Sequence, residues 1–122
     1  MTTGMRGATI WSEDLKRLLP FYRDLLGFPV AIDTPGFVVL GQDDSPPTLA
    51  LGTHSEVHGA NPDPARHMVG LTSDDIMADW RRLRDAGVAF IEDPKDYGNV
   101  WVATFKDPDG NLLQLLQFHR KA

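Results

Sequence analysis

Residues 12–28, SEDLKRLLPFYRDLLGF, recur in outline 61 positions later as residues 73–87, SDDIMADWRRLRDAG. In both stretches a serine and two acidic residues come first, an Arg-Asp pair follows, and a glycine ends the pattern. Serine and acidic residues favour the N-terminus of a helix, and glycine favours the left-handed conformation just past its C-terminus. Each stretch therefore predicts a helix, N-capped by Ser12 or Ser73 and ended at Gly27 or Gly87. A repeat on this scale predicts a doubled fold.

Two details of these helices matter below. Pro20 lacks a backbone donor and would clash one turn back, so we expect the regular part of the first helix to start near it, with residues 14–18 as a looser first turn. In the second helix, Ile76, Trp80 and Leu83 fall on one face at helical spacing. That spacing predicts Trp80 as a structural residue packed on the sheet.

Short stretches in which apolar residues alternate with polar ones flank each helix, one before it and three after it. The predicted strands are residues 8–11, 28–33, 36–40 and 48–51 in the first half, and residues 68–72, 88–91, 100–105 and 112–117 in the second. The sequence thus predicts an α+β fold of two βαβββ modules, about residues 5–52 and 67–119, joined by a linker over 53–66 within one domain, residues 1–122. Turn-forming stretches at 43–47 and 106–111 correspond at an offset of 64.

Two motifs carry a resemblance to a known family. The segment Asp14 to Phe28 and the segment Phe105 to Leu115, FKDPDGNLLQL, resemble the opening and closing motifs of the glyoxalase, bleomycin-resistance and extradiol-dioxygenase superfamily, the vicinal oxygen chelate proteins. The resemblance covers almost the whole chain. It implies that the two βαβββ modules form mixed sheets curled around a cavity, with the helices outside.

In metal-dependent members, the resemblance implies four metal ligands, one from the first and one from the last strand of each module. Carried over residue by residue, these positions are Gly7, Ala50, Met68 and Gln114. Glycine and alanine offer no ligand, methionine is a soft thioether, and a single amide oxygen does not hold a divalent ion. We therefore expect no metal site and no cofactor. His54 and His58 lie four apart, but in a Gly- and Pro-containing linker, which favours a solvated loop.

The predicted cavity face is aromatic and neutral. Trp11 has the inward parity of the first strand, and Trp101 lies 64 positions after Phe37, which predicts large rings at corresponding places in both modules. Such rings could stack on a flat ligand or fill the core, and the sequence leaves both interpretations open. The predicted ligand-binding residues are Thr9, Trp11, Phe37, Met68, Thr72, Trp101 and Gln114.

We expect a metal-free binding protein of the bleomycin-resistance type, which sequesters a partly aromatic or apolar small molecule in a cleft. The alternative is a lyase, isomerase or oxygenase of the glyoxalase or dioxygenase branch with a non-standard site. No residue pattern identifies a catalytic group: there is no Ser-His-Asp arrangement, phosphate-binding loop or pair of inward carboxylates. The resemblance and the difficulty of closing a deep cleft with 122 residues predict a homodimer.

Charge and composition exclude other classes of partner. Seventeen acidic and twelve basic side chains give a net charge of −5, which opposes binding to nucleic acid or anionic lipid. The absence of cysteine excludes disulfides, thiolate nucleophiles and zinc–cysteine sites. The opening MTTGMRGATIW has no apolar run of signal-peptide length, and no stretch is long and apolar enough to span a membrane. We therefore expect a cytoplasmic protein that binds a small molecule.

Overall fold

The computed structural model describes residues 1–43 and 45–119, and the chain forms two compact units. Unit 1 covers Met1–Gly59 and unit 2 begins at Ala60, so the boundary falls inside the predicted linker. In each unit a strand, a helical segment and three strands follow in that order. The predicted α+β fold of two βαβββ modules is confirmed, and the single domain stays a prediction. Asp44, predicted in a turn, and residues 120–122 lie outside the described range.

Unit 1 is one four-stranded mixed sheet with a helix on one side. Its elements are β1 (Gly7–Ser12), α1 (Leu15–Pro20), β2 (Val30–Thr34), β3 (Phe37–Leu40) and β4 (Thr48–Thr53). The strand order is β1-β4-β3-β2, with β1 parallel to β4 and the other neighbours antiparallel. The face packed against α1, here called the helix face, buries Val38, Leu40, Leu49 and Leu51. The opposite side of the sheet is called the open face.

Unit 2 repeats this arrangement. A short 3-10 helix, Pro64–Arg66, precedes its regular elements. These are β5 (Val69–Thr72), α2 (Ile76–Asp85), β6 (Phe90–Asp96), β7 (Val100–Lys106) and β8 (Leu112–Phe118). The strand order is β5-β8-β7-β6, again with the first strand parallel to the last. On its helix face Phe105, Leu113 and Leu115 are buried, as are Ile76 and Leu83 of α2.

The helix caps lie two residues later than predicted. Asp14 caps α1, since its carboxylate accepts a hydrogen bond from the backbone N–H of Lys16 at 2.9 Å. Asp75 caps α2 in the same way, by accepting from a backbone N–H three residues on. The predicted cap Ser12 instead ends β1, and its hydroxyl oxygen accepts from the N–H of Asp14. Aspartate and serine are both good caps, so the sequence motif did not decide between them.

The first helix differs from its prediction on both sides of Pro20. The regular α-helical turns come before the proline, because the Asp14 cap starts the helix there. Beyond it the chain continues as a π-helical turn, Phe21–Leu25, in which the N–H of Leu26 donates to the Phe21 carbonyl at 2.9 Å. Pro20 has no N–H to give to the preceding turn, and the ladder resumes after it with wider spacing. Gly27, with φ of 82°, ends the segment as predicted.

Both sheets carry the same irregularity in the strand after the helix. The pairing register shifts between Val30 and Ile32 in β2 and between Phe90 and Glu92 in β6. A bulge of this kind re-aims the side chains that follow it. Ile32 and Glu92 therefore point to the open faces of their sheets and occupy equivalent positions in the repeat.

The helices themselves are short. In the described residues α1 has six residues and α2 has ten. No described helix combines the length and the apolar composition needed to cross a bilayer.

Candidate functional site

An aromatic cluster stands on the open face of unit 1. Trp11 on β1 and Phe37 on β3 both pair with Gly52 on the strand between them, and their ring centroids are 6.0 Å apart at an interplanar angle of 41°. A Cβ at Gly52 would lie 2.5 Å from Cζ3 of Trp11 and 3.0 Å from Cδ1 of Phe37. The glycine is therefore what lets both rings approach the sheet.

His54 extends this cluster. Its ring lies edge-on to Trp11 with centroids 5.6 Å apart, and its Nδ1 accepts a hydrogen bond from the N–H of Glu56. We call Trp11, Phe37 and His54 the aromatic platform. The linker composition gave no sign of this role for His54. Its position follows from the parallel pairing of β1 with β4, which brings the residue after β4 beside the end of β1.

The platform is exposed although its rings are large. Trp11 is 43% exposed and Phe37 is 36% exposed, and both side chains lie on the face predicted for ligand binding. Thr9, another predicted ligand residue, lies two positions before Trp11 on the same open face and pairs with the buried Ala50. Unit 1 thus brings together Thr9, Trp11 and Phe37, with large apolar surface accessible to a flat molecule.

The predicted equivalence of Trp101 and Phe37 is wrong. Leu40 pairs with Leu49, nine positions on, whereas Phe105 pairs with Leu113, eight positions on, so the second hairpin is one residue shorter. A shift of one residue moves a strand side chain to the other face. Trp101 pairs with Gln117 on the helix face of unit 2, and the residue equivalent to Phe37 is Val102.

Thr72 and Trp101 nevertheless line one groove in unit 2. The groove has a volume of about 750 Å³ and lies where β5 ends and α2 begins, with Gln117 and Phe118 of β8 on its other side. His119 at its rim hydrogen-bonds Asp96 at 2.8 Å. That contact and the N–H of Gly98 hold the pKa of the Asp96 carboxyl below its ordinary value. Trp101 is half-buried there, at the edge of the groove rather than on the open face.

Gln117 contributes to the groove through a structural role that the sequence did not reveal. Its Oε1 accepts from the N–H of Ile76 at 2.8 Å, and its Nε2 donates to the carbonyl of Asp74 at 3.0 Å. Both contacts hold the first residues of α2 against β8. In the sequence, only their positions distinguish Gln114 from Gln117. Residues three apart in a strand face opposite sides of the sheet.

Trp80 is less buried than predicted. Its ring is half-buried on α2, its indole N–H donates to Asp93 at 3.1 Å, and the guanidinium of Arg84 lies over the ring at 4.5 Å from its centroid. The buried residues of α2 are Ile76 and Leu83. Trp80 therefore covers the edge of the helix–sheet contact.

The four positions that hold metal in related proteins do not fit a metal here. A Cβ at Gly7 would overlap the backbone carbonyl oxygen of Thr48, so this position has no room for any ligand side chain. Ala50 presents a buried methyl group, Met68 is 39% exposed just before β5, and Gln114 is half-buried on β8. Within residues 1–43 and 45–119, no group of three or more His, Asp or Glu side chains is arranged to hold an ion.

We therefore expect the purified protein to retain no stoichiometric divalent metal. The physical reason is that Gln114 offers one neutral oxygen donor, whereas a catalytic metal needs about three protein ligands. Elemental analysis of protein purified without chelator measures this directly. Nickel, zinc, iron or manganese held at one ion per chain by wild type and lost in Gln114→Ala would contradict the prediction.

Comparison with known proteins identifies the family. The family model of the Glyoxalase/Bleomycin resistance protein/Dioxygenase superfamily matches residues 5–115. The chain belongs to this superfamily. It is 31% identical over 121 residues to the protein YurT of Bacillus subtilis strain 168, a match covering 89% of this chain and 94% of YurT.

Two solved structures illustrate the range of activities that share this fold. TnmS3, an antibiotic binding protein from Streptomyces sp. CB03234, is 26% identical with a TM-score of 0.74, over 97% of this chain and 98% of TnmS3. The trypanothione-dependent glyoxalase I of Leishmania major is 24% identical with a TM-score of 0.75, over 95% of this chain and 87% of that enzyme. A binder and an enzyme are thus similarly close in fold, and the residues of the site must discriminate between them.

Proposed function

We propose that this protein is a metal-free binding protein that sequesters a small, partly aromatic or apolar molecule, in the manner of antibiotic-binding members of its superfamily. The observation that carries the proposal is the aromatic platform, in which Gly52 lets two large rings stand exposed on one sheet face. Exposed aromatic rings held at fixed geometry can stack on a flat ligand at low entropic cost. The fold similarity to TnmS3, an antibiotic binding protein, supports the same class.

The donor set at the metal positions supports a binder over an enzyme. Lewis-acid chemistry requires a bound ion with an open coordination position. Gly7 and Ala50 supply no ligand, so a glyoxalase- or dioxygenase-type reaction would need a non-standard site. The similarity in fold to a glyoxalase I keeps that enzyme as the second candidate.

Replacing Trp11 with leucine is expected to weaken ligand binding about 2- to 10-fold while leaving the protein folded. Stacking on an aromatic ring contributes about 0.5 to 1.5 kcal/mol beyond the buried area, and a 43% exposed ring leaves no large cavity when shortened. Binding is measured by calorimetry with a panel of flat polycyclic compounds that includes aminomethyl, hydroxymethyl and carboxylate derivatives of anthracene.

Trp80→Leu is the matched control for this experiment. Trp80 is a half-buried tryptophan outside the aromatic platform. It lies on α2 and contacts Asp93 and Arg84. We expect this variant to bind the panel as wild type does. Equal losses in both variants, or no binding of any panel compound by wild type, would contradict the proposed function.

We also propose that the protein is a homodimer. Several large apolar side chains are exposed on the chain, among them Ile32 at 40% and Phe118 at 61%. Association in a dimer would remove such apolar surface from water, which is favourable. Analytical ultracentrifugation at micromolar concentration is expected to give twice the chain mass of 13.5 kDa. A mass of one chain at every concentration tested would show the proposal to be wrong.

A further inference from the structure

A row of polar side chains crosses the open face of unit 2. Glu92 on β6 pairs with Thr104 on β7, Thr104 pairs with Gln114 on β8, and Gln114 pairs with Gly70 on β5. Directly paired residues of neighbouring strands point to the same side of a sheet, with strands about 4.8 Å apart. Glu92, Thr104 and Gln114 therefore form a continuous line, here called the polar row.

Two members of the polar row are at least half-buried. Gln114 is half-buried, and its carboxamide makes no hydrogen bond to another side chain or backbone group among the described residues. Thr104 beside it is 5% exposed. Gly70 pairs with Gln114, and Cδ1 of Leu116 lies 3.0 Å from where a Cβ on this glycine would stand, so the Leu116 side chain borders the row there. Partly desolvated polar groups gain most from a partner, so this line is suited to hydrogen-bonding a ligand.

The third member, Glu92, gives the row its charge. Its Oε1 accepts a hydrogen bond from the Tyr97 hydroxyl at 2.6 Å, and this contact raises the pKa of Tyr97, which keeps the hydroxyl a donor. The second carboxylate oxygen is available to another donor. The ammonium of Lys95 lies over the Tyr97 ring, 5.0 Å from its centroid, and among the described residues no cation forms an ion pair with Glu92.

The equivalent line in unit 1 has the opposite chemistry. Ile32 pairs with Val39, Val39 with Ala50, and Ala50 with Thr9. The two lines share the same bulge and the same strand pairing, so the backbone does not explain the difference between them. Three apolar residues in one repeat stand where the other carries a carboxylate, a hydroxyl and a carboxamide.

We propose that the polar row binds a hydrogen-bond-donating group, neutral or cationic, of the small molecule that this protein takes up. This inference rests on the proposed function and specifies the polar part of its ligand: an amine, amide or hydroxyl function. The Glu92 carboxylate accepts from that group and repels an anion. Gln114 and Thr104 provide further hydrogen bonds.

The three anthracene derivatives of the panel test this inference. Wild type is expected to bind the aminomethyl derivative about tenfold tighter than the carboxylate derivative, with the hydroxymethyl derivative between them. Glu92→Gln keeps an acceptor for Tyr97 and is expected to reduce that ratio to about twofold. Asp93→Asn is the matched control, because it makes the same change of charge one residue away on β6, at the residue that accepts from Trp80. Its ratio should remain near that of wild type.

The possible results separate the two proposals. Binding of all three derivatives with equal affinity, or an unchanged ratio in Glu92→Gln, would overturn the role of the polar row and leave the binding function standing. A preference for the carboxylate derivative that Lys95→Gln removes would also overturn it, in favour of an anion site at Lys95. No binding of any panel compound would overturn the proposed function and this inference together.

Discussion

Replacing Phe105 with alanine is expected to lower the free energy of unfolding by about 3 to 5 kcal/mol, the range for deleting a fully buried phenylalanine. Phe105 is 0% exposed on the helix face of unit 2, and its ring lies 5.3 Å from that of Phe90 at an interplanar angle of 42°. The cavity left behind would lie beneath α2, where Leu83 is also buried. Urea denaturation followed by circular dichroism measures the loss.

Phe118→Ala is the control for Phe105→Ala. Phe118 is the last residue of β8 on the open side of the same sheet, and it is 61% exposed. Its removal is expected to change the free energy of unfolding by about 0.5 kcal/mol or less. Equal losses in the two variants would mean that the helix face and the open face of unit 2 have been assigned incorrectly.

The fold was predictable because its signals are local and occur twice. Alternating apolar residues indicated all eight strands, although the predicted strand 88–91 includes only the first two residues of β6. Glycines at positions 27 and 87 marked the ends of both helical segments. Caps were predictable only to within two residues, because Ser12 and Asp14 are both suitable cap residues. The π-helical turn after Pro20 depends on how the chain restores its hydrogen bonds around a missing donor, which the presence of proline alone does not determine.

The register was harder to predict, because it depends on turn length. A hairpin shorter by one residue between β7 and β8 places Trp101 on the helix face, although its spacing from Phe37 matched the repeat. Trp11 and Phe37 lie on the same face of the sheet, as the sequence predicted. The parallel pairing of β1 with β4 and the antiparallel pairing of β3 with β4 bring both residues beside Gly52. A period-two pattern is sensitive to any such slip, which reverses every side chain in the strand.

Of the polar row, the sequence predicted only Gln114 as a ligand-binding residue, and the other two members were missed for a related reason. Glu92 lies in a charged stretch, EDPKD, which begins just after the predicted strand 88–91. The bulge before Glu92 is what aims it to the side of Thr104 and Gln114. Ile32, at the equivalent bulge in unit 1, shows that this position can equally be apolar. Pairing, rather than spacing along the chain, brings the three polar groups into line.

The same substitution at two glutamines of β8 should give opposite results. Gln117→Leu is expected to lower the free energy of unfolding by about 1 to 2 kcal/mol, because it removes both hydrogen bonds and leaves the part-buried N–H of Ile76 without its partner. Gln114→Leu removes a side chain with no hydrogen bond to another described residue, so its effect on stability should be about 0.5 kcal/mol or less. Its effect should instead appear as weaker binding of the hydroxymethyl and aminomethyl anthracene derivatives.

A conservative variant separates the hydrogen bonds of Gln117 from the packing of its side chain. Gln117→Glu has nearly the same shape and keeps an acceptor for the N–H of Ile76, and its negative charge at the start of α2 is favourable for the helix dipole. This variant loses the hydrogen bond that Gln117 donates to the carbonyl of Asp74, and its charge is repelled by nearby carboxylates. We therefore expect its stability to lie between wild type and Gln117→Leu in urea denaturation. If Gln117→Leu and Gln114→Leu were equally stable, β8 would not hold α2 by these two bonds. The contact of the helix with the sheet would then depend on buried Ile76 and Leu83 and on the hydrogen bond from Trp80 to Asp93.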